Sequence, residues 1–131
     1  MAKVFEHAFR VTPEDIDELG HMNNAVYLRY AQDAAVAHWL AQATTEQVEN
    51  LAWVVRRHEI DYLRPALMGD DLVARTWVGE ATGATYERFI EFRRPKDGET
   101  LAKVRSVWVL LDAKTFRPKR VSQELRERFE T

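Results

Sequence analysis

The sequence predicts an α+β fold: a five-stranded antiparallel sheet wrapped around one long central helix, with a short C-terminal helix. Three observations predict it. A single strand-like run precedes a polar loop near the N-terminus. One uninterrupted helical run follows that loop. Four further strand-like runs come after the helix, joined mainly by turn signals short enough for hairpins.

Residues 4–11, Val-Phe-Glu-His-Ala-Phe-Arg-Val, mix aromatic, β-branched and polar side chains and end at Thr12-Pro13. Proline lacks the N–H that sheet pairing needs, so the first strand stops there. After the polar loop, Asn23 or Asn24 is suited to cap the central helix, which runs to Leu40. Projected at about 100° per residue, Tyr27, Leu28, Ala31, Ala34, Ala35, His38 and Trp39 fall on one side, with Arg29, Gln32 and Asp33 opposite. The alanines let this helix lie close to whatever it packs on. Thr44-Thr45-Glu46-Gln47 reads as a cap and a short second helical turn. Strands are then expected over 52–63, 71–81, 85–94 and 100–111. They are separated by Arg64-Pro65 through Gly69-Asp70-Asp71, by Thr82-Gly83, and by Pro95-Lys96-Asp97-Gly98. In the last strand Ala102, Val104, Ser106, Trp108 and Leu110 share one face. Residues 112–118 close the sheet, and Ser122 caps a peripheral helix whose apolar contacts are Leu125 and Phe129.

The 131 residues suit one domain spanning 1–131, since no linker, repeat or low-complexity tract divides them. A net charge of −2 with signs alternating along the chain argues against nucleic acid and against a polybasic membrane patch as partners. The lack of cysteine removes disulfides, a thiolate nucleophile and any thiolate metal centre. Neither a signal peptide nor a membrane-length apolar run is present, so a cytoplasmic location is expected. The element order is that of the hotdog architecture. One main helix covers only one sheet face, which leaves apolar strand surface or an edge exposed, so a homodimer or homotetramer is expected.

The polar loop concentrates the chemistry. Glu14-Asp15-Ile16-Asp17-Glu18-Leu19-Gly20-His21-Met22-Asn23-Asn24, continuing into Ala25-Val26-Tyr27-Leu28-Arg29-Tyr30, carries an Asp-x-Asp-x-x-Gly stretch followed by His-x-Asn-Asn and an aromatic-rich helix. This resembles the signature of hotdog acyl-CoA thioesterases of the 4-hydroxybenzoyl-CoA thioesterase type. Asp61-Tyr62-Leu63-Arg64-Pro65-Ala66 with Gly69-Asp70, and Leu111-Asp112 with Arg117-Pro118, extend the resemblance over nearly the whole chain. It implies hydrolysis of a CoA-linked acyl or aroyl thioester, with no cofactor and no metal. The second acid of the pair, Asp17, would act as nucleophile or general base. The backbone N–H of Asn24, with Ala25 beside it, would hold the oxyanion.

The chemistry is reasonable on its own terms. A carboxylate beside a helix N-terminus can attack a thioester carbonyl or activate water while free N–H groups stabilise the developing charge. Outside such a motif an aspartate in this position is a turn residue, and Asp15 is read that way, as an Asx turn or loop brace. His21 either positions water or substrate or is structural. Asn23 caps the helix and can also hold a carbonyl or water. Gly20 tightens the turn that sets Asp17 against the helix. Tyr27 faces inward, packing beneath the site or touching substrate. His7, His38 and His58 are read as structural. Arg56, Arg57, Arg64, Arg88, Arg93, Arg94 and Lys96 are available for CoA phosphates. Plant acyl-carrier-protein thioesterases have a similar Asn-x-His-x-Asn-Asn segment, which keeps acyl carrier protein open as a carrier. Competing readings are a hotdog dehydratase, an acyl-binding protein without turnover, and a metal hydrolase using Asp15, Asp17 and His21.

Overall fold

The computed structural model describes residues 3–130; Met1, Ala2 and Thr131, the ends of the expected 1–131 unit, lie outside the described residues. Strand β1 (Phe5–Arg10) leads through a 3-10 turn (Pro13–Asp15) to helix α1 (Asn24–Gln42) and a short α2 (Thr45–Asn50). Strands β2 (Leu51–Tyr62), β3 (Asp71–Thr82), β4 (Thr85–Arg94) and β5 (Glu99–Asp112) follow, and α3 (Gln123–Glu130) ends the chain. All five strands pair antiparallel in the order β1-β3-β4-β5-β2. This is the expected hotdog arrangement. Because β1 and β2 occupy opposite edges, the intervening α1 carries the chain across the sheet.

The local signals act as read from the sequence. The Asn23 side chain accepts the Ala25 N–H at 2.9 Å, Thr44 and Gln47 form a reciprocal cap, and Ser122 accepts the Leu125 N–H at 3.1 Å. Gly20, Gly69, Gly83 and Gly98 take positive φ at turns where the chain reverses. Helix α1 buries Tyr27, Ala31, Ala34, Ala35 and His38 as projected, but it also buries Tyr30, and Leu28 is only half-buried. Three register shifts, between Val55 and Arg57, Val78 and Ala81, and Phe92 and Arg93, bend strands that the sequence presents as regular.

Two apolar clusters fill the space between helix and sheet. One gathers Tyr27, Tyr30, Ala34, Ile90, Phe92 and Val104 under the N-terminal half of α1; the other joins Val78, Tyr86 and Leu110 to Val121, Leu125 and Phe129. Helix α3 is therefore more than a peripheral element: Leu125 and Phe129 are the lid of the second cluster. A buried polar belt, Thr76 on β3, Arg88 on β4 and Ser106 on β5 with His38 from α1, stands between the two clusters. No helix among the described residues is long and apolar enough to cross a membrane.

Candidate active site

The motif loop is a small pinned hairpin. Ile16 bridges Met22, the Asp17 N–H donates to the His21 carbonyl at 3.0 Å, and the Gly20 N–H returns to the Asp17 carbonyl at 3.0 Å. The reversal needs the left-handed φ of +78° at Gly20. Two further bonds tie the hairpin down, from the Asn23 N–H to the Asp15 carbonyl and from the Met22 N–H to the Ala66 carbonyl, both at 2.8 Å.

The two acids of the motif lie in opposite environments. Asp15 is 1% exposed, and its carboxylate accepts from Tyr30 Oη at 2.5 Å, Arg29 Nη2 at 2.7 Å, and the Thr12 N–H and hydroxyl at 3.0 and 3.1 Å. Burial pushes its carboxyl up, but the hydrogen bonds from Tyr30, Thr12 and Arg29 outweigh burial and hold it below the usual aspartate range. Asp15 is thus the loop brace. Asp17 is half-buried, and one oxygen accepts the Leu19 N–H at 2.9 Å within its own loop.

At the mouth of α1, Asn23 and Asn24 are exposed. The Ala25 N–H is occupied by the Asn23 side chain, whereas no acceptor among the described residues takes the Asn24 N–H. The Asn24 carbonyl accepts from Tyr62 Oη at 2.9 Å, so the tip of β2 holds the first turn of the helix. Tyr62, part of the second motif segment, thus directs its phenol at the helix backbone. His21 is exposed on the turn, and Tyr27 is buried edge-on against Tyr62 and Phe92. Leu63, Leu67 and Met68, beside the Ala66 carbonyl that anchors the loop, are exposed apolar residues.

Several cations expected at the surface are already engaged. Arg94 pairs with Asp70 and Asp97, Arg64 with Glu99 and Arg57 with Glu59. Arg88 is a correction: at 8% exposed it faces the interior, and no phosphate on the surface can reach it. Arg56 and Arg57 line a shallow basic cavity with Arg105, Thr85 and Val107.

An apolar cavity of about 160 Å³ lies elsewhere, between the C-terminal half of α1, the sheet and Phe129 of α3, and none of its lining residues belongs to the motif loop. Its walls on α1 are Ala35, Val36 and Trp39, which stand roughly 16–22 Å along the helix axis from Asn24 at 1.5 Å per residue. Trp53 of β2 and Trp108 of β5 both line it.

The profile of the thioesterase-like superfamily matches residues 11–129. The long-chain acyl-CoA thioesterase FadM of Escherichia coli is 27% identical over 120 residues, covering 88% of this chain and 89% of that protein. A chloroplastic palmitoyl-acyl carrier protein thioesterase of Arabidopsis thaliana is 32% identical over 82 residues, covering 63% of this chain but only 20% of the plant protein. The solved structure of a 1,4-dihydroxy-2-naphthoyl-CoA thioesterase from Synechocystis superimposes with a TM-score of 0.83 over 96% of this chain and 95% of that one, at 16% identity, a likeness of fold. With a pinned Asp-x-Asp loop at the mouth of a central helix and a profile match over nearly its full length, the chain belongs to the thioesterase-like superfamily.

Proposed function

We propose that this protein hydrolyses acyl-CoA thioesters to the free acid and thiol, with Asp17 as the reacting carboxylate and the Asn24 N–H as oxyanion donor. The observation that carries the reading is the unclaimed Asn24 N–H at the start of a 19-residue helix, directly after the loop that holds Asp17. A helix N-terminus with an open donor favours negative charge, and removing one oxyanion donor costs roughly 3 kcal/mol in a well-studied hydrolase. Asp17 either adds to the carbonyl carbon, giving a mixed anhydride that water then splits, or takes a proton from the water that adds. In both routes the C–S bond breaks and sulfur leaves as thiolate. Asn23, whose oxygen is engaged at Ala25, keeps its amide N–H groups for the substrate carbonyl or water. His21, exposed on the same turn, is the neighbouring side chain that contacts the substrate or the attacking water. Gly20 and Tyr27 shape the loop and its floor.

The site is completed by a second copy of the chain. Leu63, Leu67 and Met68 leave an apolar rim beside the motif loop, and β2 is an open sheet edge. Arg56 is the cation we assign to the CoA phosphates, since its neighbour Arg57 already pairs with Glu59. The similarity to FadM favours CoA over acyl carrier protein as the carrier, because it extends over almost the whole of both chains. Release of free thiol from a panel of acyl-CoA, aroyl-CoA and acyl-carrier-protein thioesters tests this. Turnover of at least one CoA thioester by an oligomer is expected; a monomer at micromolar concentration, or no turnover across the panel, would contradict it.

A further inference from the structure

The net charge of −2 describes the chain as a whole, but residues 114–120, Lys-Thr-Phe-Arg-Pro-Lys-Arg, hold four cations and no acid. All of these residues are exposed. None of Lys114, Arg117, Lys119 and Arg120 forms an ion pair with a described residue. The positive charge of this loop is offered to solvent.

Phe116 stands in the middle of the stretch. It is 68% exposed, and it alone among the described non-glycine residues has a positive φ, +59°. Contact between Cβ and the backbone disfavours this left-handed region for a bulky side chain and leaves it free for glycine. The surrounding bonds hold Phe116 there. The Asp112 carboxylate accepts the Lys114 and Thr115 N–H groups at 2.9 and 3.0 Å, the Phe116 N–H donates to the Asp112 carbonyl at 2.8 Å, and the Asp112 N–H donates to the Arg117 carbonyl at 2.9 Å. Leu111 bridges Pro118, and the Val121 N–H donates to the Gly83 carbonyl at 2.9 Å, which ties the loop to the β3–β4 turn. No packing offsets the strain, since Phe116 belongs to neither apolar cluster. A strained, rigidly held aromatic that the interior does not use points to a role at the surface.

We propose that the 114–120 loop docks the protein on an anionic lipid surface, with Phe116 entering the boundary between headgroups and acyl chains and the four cations meeting the lipid anions. A lipid surface takes up an apolar side chain wherever it lands, whereas an acidic protein needs a pocket shaped for it. One apolar and one electrostatic signal together give reversible attachment. The docking loop is separate from the motif loop: Leu51 pairs with Asp112 at one end of β2, and Tyr62 holds the Asn24 carbonyl at the other, roughly 36 Å away at about 3.3 Å per residue. The inference goes beyond thioester cleavage, and its test does not read turnover.

The intact protein is sedimented with vesicles of phosphatidylcholine alone and of equimolar phosphatidylcholine and phosphatidylglycerol. Binding to the anionic vesicles is expected to be tighter by roughly tenfold or more and to weaken with salt. Phe116→Gly removes the apolar tip and relieves the strained φ, so it should fold at least as well as the native protein yet bind roughly tenfold more weakly, the scale of one buried aromatic side chain. Lys119→Ala and Arg120→Ala should each weaken binding by roughly fivefold. Phe116→Trp should keep binding, with its added emission quenched by brominated phosphatidylcholine in the anionic vesicles. Apo acyl carrier protein, titrated by calorimetry, supplies the acidic-protein comparison. No preference for anionic vesicles, undiminished binding in Phe116→Gly, unquenched emission in Phe116→Trp, or Phe116-dependent binding of acyl carrier protein without vesicle binding would overturn the proposal.

Discussion

Asp15 and Asp17 are two residues apart, yet replacing each with alanine should have opposite consequences. In Asp15→Ala the Tyr30 hydroxyl, on a residue 8% exposed, loses its acceptor, at a cost of about 1–3 kcal/mol. Loss of the acceptor for the Thr12 N–H and hydroxyl adds roughly 1 kcal/mol. Arg29 adds little, since its side chain is 55% exposed and water replaces the carboxylate, so the ion pair contributes on the order of 0–1 kcal/mol. The total is roughly 2–5 kcal/mol. Asp17→Ala gives up one bond, to the Leu19 N–H on an exposed turn, and should stay within about 1 kcal/mol of the native protein. Urea unfolding followed by tryptophan emission, at one protein concentration because association shifts apparent stability, measures both variants against an unchanged m-value. If Asp15→Ala loses no more stability than Asp17→Ala, the assignment of brace and reactive group to these two acids is wrong.

Other outcomes follow from the same structure. Burial, with the charges of Arg88 and Lys3, lowers the His38 pKa from 6.5 to about 3, so between those values the unfolded chain binds a proton that the folded one refuses. This contribution to stability is complete above pH 6.5 and is lost as pH falls toward 3; the slope should flatten in His38→Gln, which keeps an acceptor for Arg88, and an unchanged slope would refute it. Gly20→Ala has no steric clash but must hold φ at +78°, so it should cost roughly 1–2 kcal/mol in unfolding experiments and reduce turnover by loosening the loop. Tyr62→Phe frees the Asn24 carbonyl; stability within about 1 kcal/mol of native with a reduced kcat is expected, whereas unaltered kinetics would show that the phenol does not hold the helix mouth.

The sequence was most informative where local chemistry decides the outcome. Asn23, Thr44 and Ser122 cap as their side chains suggest, Gly20 turns as its position requires, and the strand runs are those whose apolar residues alternate. It was least informative where partners come from distant elements. Asp15 is buried because Tyr30 and Arg29 reach it from α1, which depends on the angle of the helix and has no periodic signature. Arg88 was grouped with surface cations because it is charged, although the alternation Tyr86, Arg88, Ile90, Phe92 places it on the buried face. That parity was the available signal, and charge obscured it. The importance of α3 was equally hidden, since two apolar residues in eight look peripheral until the second cluster is seen beneath them.

The central claim is that the Asp17 carboxylate does the chemistry beside the open Asn24 N–H. Its most direct test is kcat for Asp17→Asn on the best acyl-CoA substrate, with unfolding stability measured on the same preparation. A fall of about a hundredfold or more at native stability is predicted, the scale of a lost acid–base or nucleophilic group; a kcat equal to that of the native protein would contradict the account.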